Sequence, residues 1–177
     1  MKRKGILIVF SGDGKGKTSA AIGIAVRMVA QKKKVAYCTF FKQKSCSELK
    51  VLKKLTDCKV FTFCEKYPSF SAGLTKKKFK DLFKKEWSKF LAKFYSFEKY
   101  HLLVIDELLI AVRDGLIKDT EIISLFEKVR KNNPGMHLLL TGRGMTDSII
   151  NYADVVTDMR CIKHPYPRIG AIKGIDL

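Results

Sequence analysis

An octapeptide near the N-terminus has the composition of a loop that wraps around phosphate groups. It covers residues 11–18 and reads SGDGKGKT. Glycines allow the backbone to curl closely around an anion and to point successive N–H groups at it. Lys17 at the end of such a loop reaches the outer phosphates of a nucleotide, and the Thr18 hydroxyl binds the accompanying magnesium ion. The octapeptide therefore predicts a nucleoside triphosphate site.

The segments that flank the octapeptide provide the structural context that a phosphate-binding loop requires. The apolar run 6–10 precedes it and predicts a strand, and residues 18–31 follow with helical periodicity. A strand–loop–helix arrangement aims the positive end of the helix dipole at the bound phosphates. Ser11 is one departure, because the usual pattern begins with glycine. The alternative, a chance turn rich in glycine and lysine, is less favoured in this context.

Two carboxylates, Asp106 and Glu107, follow a second apolar run at residues 102–105. Mg²⁺ prefers oxygen ligands and keeps several waters, so one or two carboxylates together with phosphates are sufficient to hold it. Combined with the loop at 11–18, the pair predicts a magnesium site. The alternative is a helix-capping Asp106 beside a solvated Glu107.

Strands and helices alternate along the rest of the chain. This alternation predicts an α/β fold of the P-loop NTPase (RecA-like) type, with a mostly parallel sheet and helices on both faces, in one domain over residues 1–177. Ligands of such sheets lie at the carboxyl ends of the strands, where Thr18 and the acidic pair both fall. The predicted strands are 6–10, 35–41, 60–63, 102–105, 136–140 and 155–156, the last as a central strand. The predicted helices are 18–31, 47–55 with Ser47 as cap, 75–99, 119–131 and 146–152.

The long helix predicted over 75–99 carries apolar residues at three-and-four spacing and lysines on its other face. Such a helix could lie on a membrane or along nucleic acid, but packing against the sheet is the favoured interpretation. The net charge of +18 also suggests nucleic acid, yet only seven of the 35 basic residues are arginine. Because arginine forks dominate specific phosphate and base recognition, we interpret the lysine excess as a solvated surface and expect no nucleic-acid partner.

Targeting and redox features favour the cytoplasm. No apolar run approaches the length of a membrane span, so we expect no membrane partner. The five cysteines form no CxxC pair, which argues against a zinc site or a disulfide framework and suits a reducing compartment.

Four motifs occur in order in the C-terminal third of the chain. Together with the loop and the acidic pair, they resemble the P-loop family of ATP:corrinoid adenosyltransferases, which act in cobalamin synthesis and salvage. The resemblance covers most of the chain from Gly5 onwards and is weak over residues 43–99. The loop and acidic motifs are common to many nucleotide-binding families, so the C-terminal set is the specific part. These four motifs are LTGRG at 140–144, ADVVTDMR at 153–160, IKHPY at 162–166 and GAIKGID at 170–176.

The resemblance implies transfer of the 5′-deoxyadenosyl group of ATP to the Co(I) of a reduced corrinoid, with release of triphosphate. Because Co(I) is itself a strong nucleophile, the protein needs no activated side chain and no general base, and we assign no catalytic residue. The enzyme holds the reactants in line and stabilises the leaving triphosphate, for which Lys17 and Glu107 provide support. The implied metal is Mg²⁺, with Mn²⁺ as an alternative.

Site residues carry over from the resemblance position by position. Thr18, Glu107 and Asp106 are expected at the metal, with Glu107 preferred as its ligand and Asp106 in support. Arg27 is expected near the nucleotide, and the alternative is an ordinary surface residue of the helix. Arg143 is expected near phosphate, and the alternative is a structural arginine. His164 is given no catalytic role. The residues expected to contact ATP are Gly12, Asp13, Gly14, Lys15, Gly16, Lys17, Thr18, Ser19, Arg27 and Arg143.

The corrinoid contacts are less well marked. Tyr67 and Phe70, in a predicted exposed loop, could contact the lower corrin face, although simple loop packing is a slightly favoured alternative. Only four residues precede Gly5, so we expect the corrinoid to be more exposed, or to be covered by another loop or by a partner subunit. The resemblance further implies a homodimer and a flavin-type reductant protein. The alternatives are a basic RecA-like ATPase that acts on nucleic acid, and a small-molecule kinase.

Overall fold

The computed structural model describes residues 4–65, 75–165 and 167–175, and shows one sheet of six parallel strands. The order of the strands across the sheet is β3-β2-β4-β5-β1-β6. Consecutive parallel strands require crossover connections, and the helices provide them. The strands are β1 Leu7–Ser11, β2 Val35–Phe40, β3 Cys58–Phe63, β4 Leu102–Asp106, β5 His137–Thr141 and β6 Val155–Asp158.

Among the residues that the structure describes, six α-helices connect or follow the strands. Residues 95–99 add a turn of 3₁₀ helix after the third of them. Among the described residues, no helix combines the length and apolar character that crossing a bilayer needs. The helices are α1 Lys17–Ala30, α2 Ser47–Leu52, α3 Lys76–Phe94, α4 Leu109–Arg113, α5 Asp119–Asn132 and α6 Asp147–Tyr152.

Alternate residues of each strand enter two separate cores, because successive side chains of a strand point to opposite faces of the sheet. One face packs on α1 and α2 and includes Tyr37 and Val104. The other face packs on α3, α5 and α6 and includes Cys38 and Ile105. The central strands are therefore apolar throughout, as expected for a parallel sheet covered on both sides.

Helix α3 packs its aromatic stripe against the sheet. Its residues Phe79, Phe83, Trp87, Phe90 and Phe94 are all buried. The ring of Phe90 meets that of Phe40 on β2 edge-on, with 5.6 Å between centroids. Burial of such a ring stabilises the fold by about 1.5–3 kcal/mol. The interpretation of this segment as a core helix with a solvated lysine face is confirmed.

The predicted α/β fold with a parallel sheet is confirmed, with four corrections to its elements. The strand predicted at 155–156 is not central: β6 lies at the edge of the sheet, where it pairs only with β1 and keeps much of its surface exposed. Cys46, not Ser47, is the N-cap residue of α2, and it makes no side-chain capping bond. The helix predicted over 75–99 changes to 3₁₀ geometry at Tyr95, and α4 was not predicted.

Strand order determines which loops meet at the functional edge of the sheet. Strand β5 lies between β1, which leads into the glycine-rich loop, and β4, which ends at the acidic pair. Thr141, the last residue of β5, is therefore located between the two motifs. Across this edge the loops after β1, β2, β4 and β5 approach one another.

Candidate active site

The glycine-rich loop folds around its own lysine. Gly12 and Gly16 adopt positive φ angles of 94° and 105°, which favour glycine. Lys17 begins helix α1, and its ammonium donates hydrogen bonds to the carbonyl oxygens of Gly12, at 2.7 Å, and Gly14, at 2.5 Å. Burial lowers the pKa of Lys17, and the negative charge of Glu107 opposes that shift. The ammonium is thus held at the mouth of the loop, beside the unsatisfied N–H groups that begin the helix.

The chain after β6 supports the loop from behind. The Gly14 N–H donates to the Met159 carbonyl at 2.6 Å. A Cβ atom added to Gly14 would lie 2.6 Å from the carbonyl oxygens of both Met159 and Arg160. The loop therefore requires glycine here because another backbone segment passes directly behind it.

Thr18, Asp106 and Thr141 form a buried hydrogen-bond network. The Thr18 hydroxyl lies 3.1 Å from Oδ1 and 3.3 Å from Oδ2 of Asp106, and the Thr141 hydroxyl donates to Oδ1 at 2.6 Å. The Thr141 oxygen in turn accepts the Glu107 N–H at 2.9 Å. The Asp106 side chain is fully buried. The predicted convergence of Thr18 and the acidic pair is therefore present, with Asp106 in direct contact with Thr18.

Glu107 faces the same cavity from a strained backbone. Its φ of 66° is unusual for a residue with a side chain and turns it away from the strand direction. Burial raises its pKa, and the neighbouring charge of Asp106 raises it further, whereas Lys42 and Lys17 lower it. The preference for Glu107 over Asp106 as the metal ligand stays a prediction.

Lys42, at the carboxyl end of β2, is a functional candidate that sequence reasoning missed. Its ammonium lies 2.9 Å from Oδ2 of Asp106, 2.9 Å from the Thr18 hydroxyl and 3.2 Å from Oε1 of Glu48. Burial alone would lower the pKa of Lys42. The negative charges of Asp106 and Glu48 together have a larger effect, so the pKa is raised. The signal in the sequence was its position, since polar residues directly after parallel strands meet at the ligand-binding edge.

A cavity of about 800 Å³ lies over these groups. Its lining combines polar groups of the loop, Lys42, Glu48 and Glu107 with the apolar side chains of Ile22, Val51, Ile110 and Ile175. A volume of this size is within the usual range for small-molecule sites. The lining residues are Gly14, Lys15, Gly16, Lys17, Thr18, Ser19, Ile22, Phe41, Lys42, Ser47, Glu48, Val51, Glu107, Ile110, Arg113, Arg143, Gly174 and Ile175.

Most of the predicted nucleotide contacts line this cavity. Arg143 reaches it from the loop after β5, and its guanidinium lies 3.4 Å from the Asp13 carbonyl oxygen. Arg27 is exposed on α1 and is not among the lining residues. Gly12, Asp13 and Asp106 lie next to the cavity rather than on its surface. Tyr67 and Phe70 fall outside the described residues.

The oxygen atoms at the Thr18 end of the cavity suit a hard divalent cation. A hydroxyl and a carboxylate converge there, and a cationic ammonium already bridges them. Within residues 4–65, 75–165 and 167–175 no group of three or more histidine, cysteine or acidic side chains forms a cage for a metal. Mg²⁺ needs no such cage, because it keeps several waters and uses phosphate oxygens. The residues present therefore fit Mg²⁺ bound together with a nucleotide.

The fold resembles a solved structure of low sequence similarity. Flagellar accessory protein FlaH from Methanocaldococcus jannaschii superimposes with a TM-score of 0.59 at 11% identity, over 88% of this chain and 71% of that chain. At this identity the likeness concerns the fold alone. The parallel sheet, the glycine-rich loop after β1 and the acidic end of β4 make this an α/β P-loop NTPase fold of the RecA-like type.

Curated relatives match almost the whole chain. A corrinoid adenosyltransferase from Sinorhizobium sp is 30% identical over 180 residues, which cover 98% of this chain and 80% of the relative. One from Pseudomonas aeruginosa is 30% identical over 179 residues, with 98% and 84% covered. Corrinoid adenosyltransferase CobA from Salmonella typhimurium is 28% identical over 183 residues, with 99% and 87% covered.

The sequence profile of one family extends over nearly the full chain. It is described as ATP:corrinoid adenosyltransferase BtuR/CobO/CobP and matches residues 3–177. The match includes the glycine-rich loop, the acidic pair and the C-terminal motifs on which the resemblance rested. The chain belongs to the ATP:corrinoid adenosyltransferase family and is a transferase.

Proposed function

We propose that this protein transfers the 5′-deoxyadenosyl group of ATP to the Co(I) of a corrinoid and releases inorganic triphosphate. The observation that carries the proposal is a cavity whose lining combines the phosphate-binding loop with apolar side chains. The loop suits a triphosphate, and the apolar side chains suit the adenosine attached to it. Membership of the corrinoid adenosyltransferase family supports the corrinoid as acceptor.

The loop and its neighbours bind the triphosphate. Lys17 exchanges its carbonyl partners for phosphate oxygens, and the N–H groups at the start of α1 add hydrogen bonds to the anion. Arg143, at the rim, adds a second positive charge. Hydrogen bonds to ionised groups are each worth about 1.5–3 kcal/mol, so these contacts stabilise the charge that develops on the leaving group.

Thr18 and Asp106, with Glu107 beside them, are the residues that would hold Mg²⁺ or Mn²⁺. The bound cation neutralises part of the triphosphate charge. Thr141 keeps the Asp106 carboxylate in place through its 2.6 Å hydrogen bond. Glu107 lines the cavity and is the preferred ligand of the cation, with Asp106 in support.

The proposed reaction is a displacement at the 5′ carbon of ATP. The electron pair of Co(I) forms the cobalt–carbon bond, cobalt becomes Co(III), and the C5′–O bond breaks with its electrons leaving on triphosphate. No proton moves, so no side chain acts as acid or base. The protein contributes alignment and electrostatics.

Contact between the corrinoid and Tyr67 or Phe70 is part of the proposal. Apolar side chains there would displace the lower axial ligand of Co(II) and ease its reduction to Co(I). Alanine at both positions should lower Co(II)-dependent turnover and leave turnover with chemically reduced Co(I) intact. Unchanged turnover from Co(II) would contradict the contact. The homodimer, the cytoplasmic location and the flavin-type reductant protein stay predictions.

An anaerobic assay tests the proposed reaction. Purified protein with Mg·ATP and chemically reduced cobalamin or cobinamide should lose the Co(I) spectrum and form adenosylcorrinoid with equimolar triphosphate. Lys17→Ala should abolish the product, because the triphosphate then loses the ammonium group that the loop provides.

Failure to form product with either corrinoid, while ATP binding is intact, would contradict the proposal for these substrates. ADP as product would instead indicate a kinase. ATP hydrolysis stimulated by DNA in a salt-sensitive manner would indicate the nucleic-acid-dependent ATPase, which family membership does not favour.

A further inference from the structure

Lys42 directly follows Phe41, a residue with an unusual backbone conformation. Phe41, the residue directly after β2, has a φ of 56°, in the left-handed region that a bulky side chain rarely adopts. Its ring stacks on Phe83 of α3 at 5.8 Å, and its N–H donates to the Cys64 carbonyl at 2.8 Å. Strain of this kind persists only where surrounding contacts hold it. Here it redirects the chain, so that Lys42 reaches the network at Thr18.

The Lys42 ammonium contacts three oxygen groups, and two of them, on Asp106 and Thr18, are groups that a divalent cation would use. It lies 2.9 Å from Asp106 Oδ2, 2.9 Å from Thr18 Oγ1 and 3.2 Å from Glu48 Oε1. An ammonium has three N–H donors, and this arrangement matches them to three acceptors. A Mg²⁺ ion needs its oxygen ligands at about 2.0–2.1 Å. The ammonium and the ion therefore cannot hold the same oxygens together.

The buried position of Asp106 explains why a cation must be present. Its side chain is fully buried, and Lys42 is only 18% exposed. A buried carboxylate without a compensating charge is strongly destabilising. In the nucleotide-free protein the Lys42 ammonium, 2.9 Å away, provides that charge.

We propose that Lys42 competes with the divalent cation for Asp106 and Thr18, so that free metal is disfavoured and the cation enters together with the triphosphate. The triphosphate gives the displaced ammonium a new anionic partner inside the cavity that Lys42 lines. Lys42 is thus a positioning residue that couples metal binding to nucleotide binding. The inference rests on the proposed function only in taking the cavity as a site for a metal–nucleotide complex.

Binding of Mn²⁺ in the absence of nucleotide tests the competition directly. Electron paramagnetic resonance measures the affinity of wild-type protein and of Lys42→Met, which keeps the length of the side chain and removes its charge. We expect Lys42→Met to bind free Mn²⁺ about 10-fold more tightly or better, a coupling typical of mutually exclusive ligands. Mn²⁺ alone should then raise the melting temperature of the variant more than that of wild type.

Two controls test whether the gain in Mn²⁺ affinity depends on Lys42 and on Asp106. Lys44→Met removes the same charge two residues away, from a lysine that pairs with the exposed Glu65, and should leave Mn²⁺ affinity as in wild type. Adding Asp106→Asn to Lys42→Met should abolish the gain. If Lys42→Met does not fold by circular dichroism, Lys42→Gln replaces it, because the amide still donates to Asp106 without a charge.

Three results would overturn the proposal. These are an unchanged or weaker Mn²⁺ affinity in the Lys42 variant, a gain that survives Asp106→Asn, and an equal gain in Lys44→Met. The titration contains neither ATP nor corrinoid, so its outcome is separate from the adenosyl-transfer assay. A wild-type protein that forms no adenosylcorrinoid would contradict the proposed function and leave the Mn²⁺ result to decide the role of Lys42.

Discussion

The Thr18 hydroxyl lies 3.1 Å from Oδ1 of Asp106, although 88 residues separate the two in the chain. This contact joins the glycine-rich loop to the acidic strand end, and Lys42 contacts both members.

Removal of the Asp106 charge should destabilise the fold through Lys42. Asp106→Asn leaves the ammonium without its buried anionic partner, and we expect a loss of about 3 kcal/mol in the free energy of unfolding. The double variant Asp106→Asn with Lys42→Met should recover much of this loss, because it removes both charges. Urea denaturation of the four proteins measures the coupling.

An exposed pair provides the matched control for that cycle. Lys44 and Glu65 lie 2.7 Å apart, and their side chains are 66% and 39% exposed, far more than the fully buried Asp106. We expect their coupling in the same experiment to be below about 1 kcal/mol. An equal coupling energy for the Lys42–Asp106 and Lys44–Glu65 pairs would contradict the idea that burial of Asp106 strengthens its pairing with Lys42.

Gly14→Ala should damage both the stability of the protein and its affinity for ATP. The added methyl group would lie 2.6 Å from two backbone carbonyl oxygens and would push the loop away from Met159. We expect a loss of about 1–3 kcal/mol in the free energy of unfolding. Thermal denaturation and ATP titration by calorimetry measure the two effects.

Gly23→Ala is the matched substitution inside helix α1. A Cβ atom at Gly23 meets nothing within 4 Å, so alanine should raise stability by about 0.5–1 kcal/mol and leave ATP affinity unchanged. A similar loss in both alanine variants would contradict the idea that the backbone behind the loop makes Gly14 necessary.

Arg143→Ala should weaken the binding of Mg·ATP about 10- to 100-fold. The guanidinium lines the cavity next to the loop, and a charge-assisted hydrogen bond to phosphate is worth about 1.5–3 kcal/mol. Arg27→Ala should have a smaller effect, because Arg27 is exposed on α1 outside the cavity lining. Calorimetric titration compares the two variants, and a larger loss in Arg27→Ala would favour Arg27 as the nucleotide contact.

Stability should fall in acid partly through His137. Burial lowers the pKa of His137 from 6.5, and the nearby His101 lowers it further. Its Nδ1 accepts the Ile6 N–H at 3.3 Å, which requires that nitrogen to be unprotonated. Because the unfolded chain takes up the proton more readily, this contribution is complete above the unfolded pKa of about 6.5 and is lost as the pH falls through the lower folded value.

Urea denaturation between pH 7 and pH 5 measures the effect of His137. In His137→Asn the side-chain oxygen can accept the same N–H without titrating, so the slope of stability against pH should decrease. His164→Asn, in the exposed C-terminal segment, is the control and should keep the wild-type slope. An unchanged slope in His137→Asn would exclude His137 as a source of the pH dependence.

The sequence by itself determined the features that depend on short segments. Apolar runs and helical periodicity were sufficient for the alternation of strands and helices, because side-chain spacing reflects local geometry. The glycine-rich loop and the acidic pair were recognisable for the same reason, since each is a contiguous motif at the end of a strand. The family resemblance also depended on contiguous motifs, and the match of the family profile over residues 3–177 confirms it.

Only the tertiary structure decided how distant segments combine. The strand order places β5 between β1 and β4 and moves β6 to the edge, because parallel pairing is chosen by packing across the whole sheet and not by local pattern. The role of Lys42 depends on the same pairing and on the left-handed turn at Phe41. In the sequence Lys42 is one of several polar residues that follow a strand, and its specific role comes from the buried carboxylate that the fold brings to it.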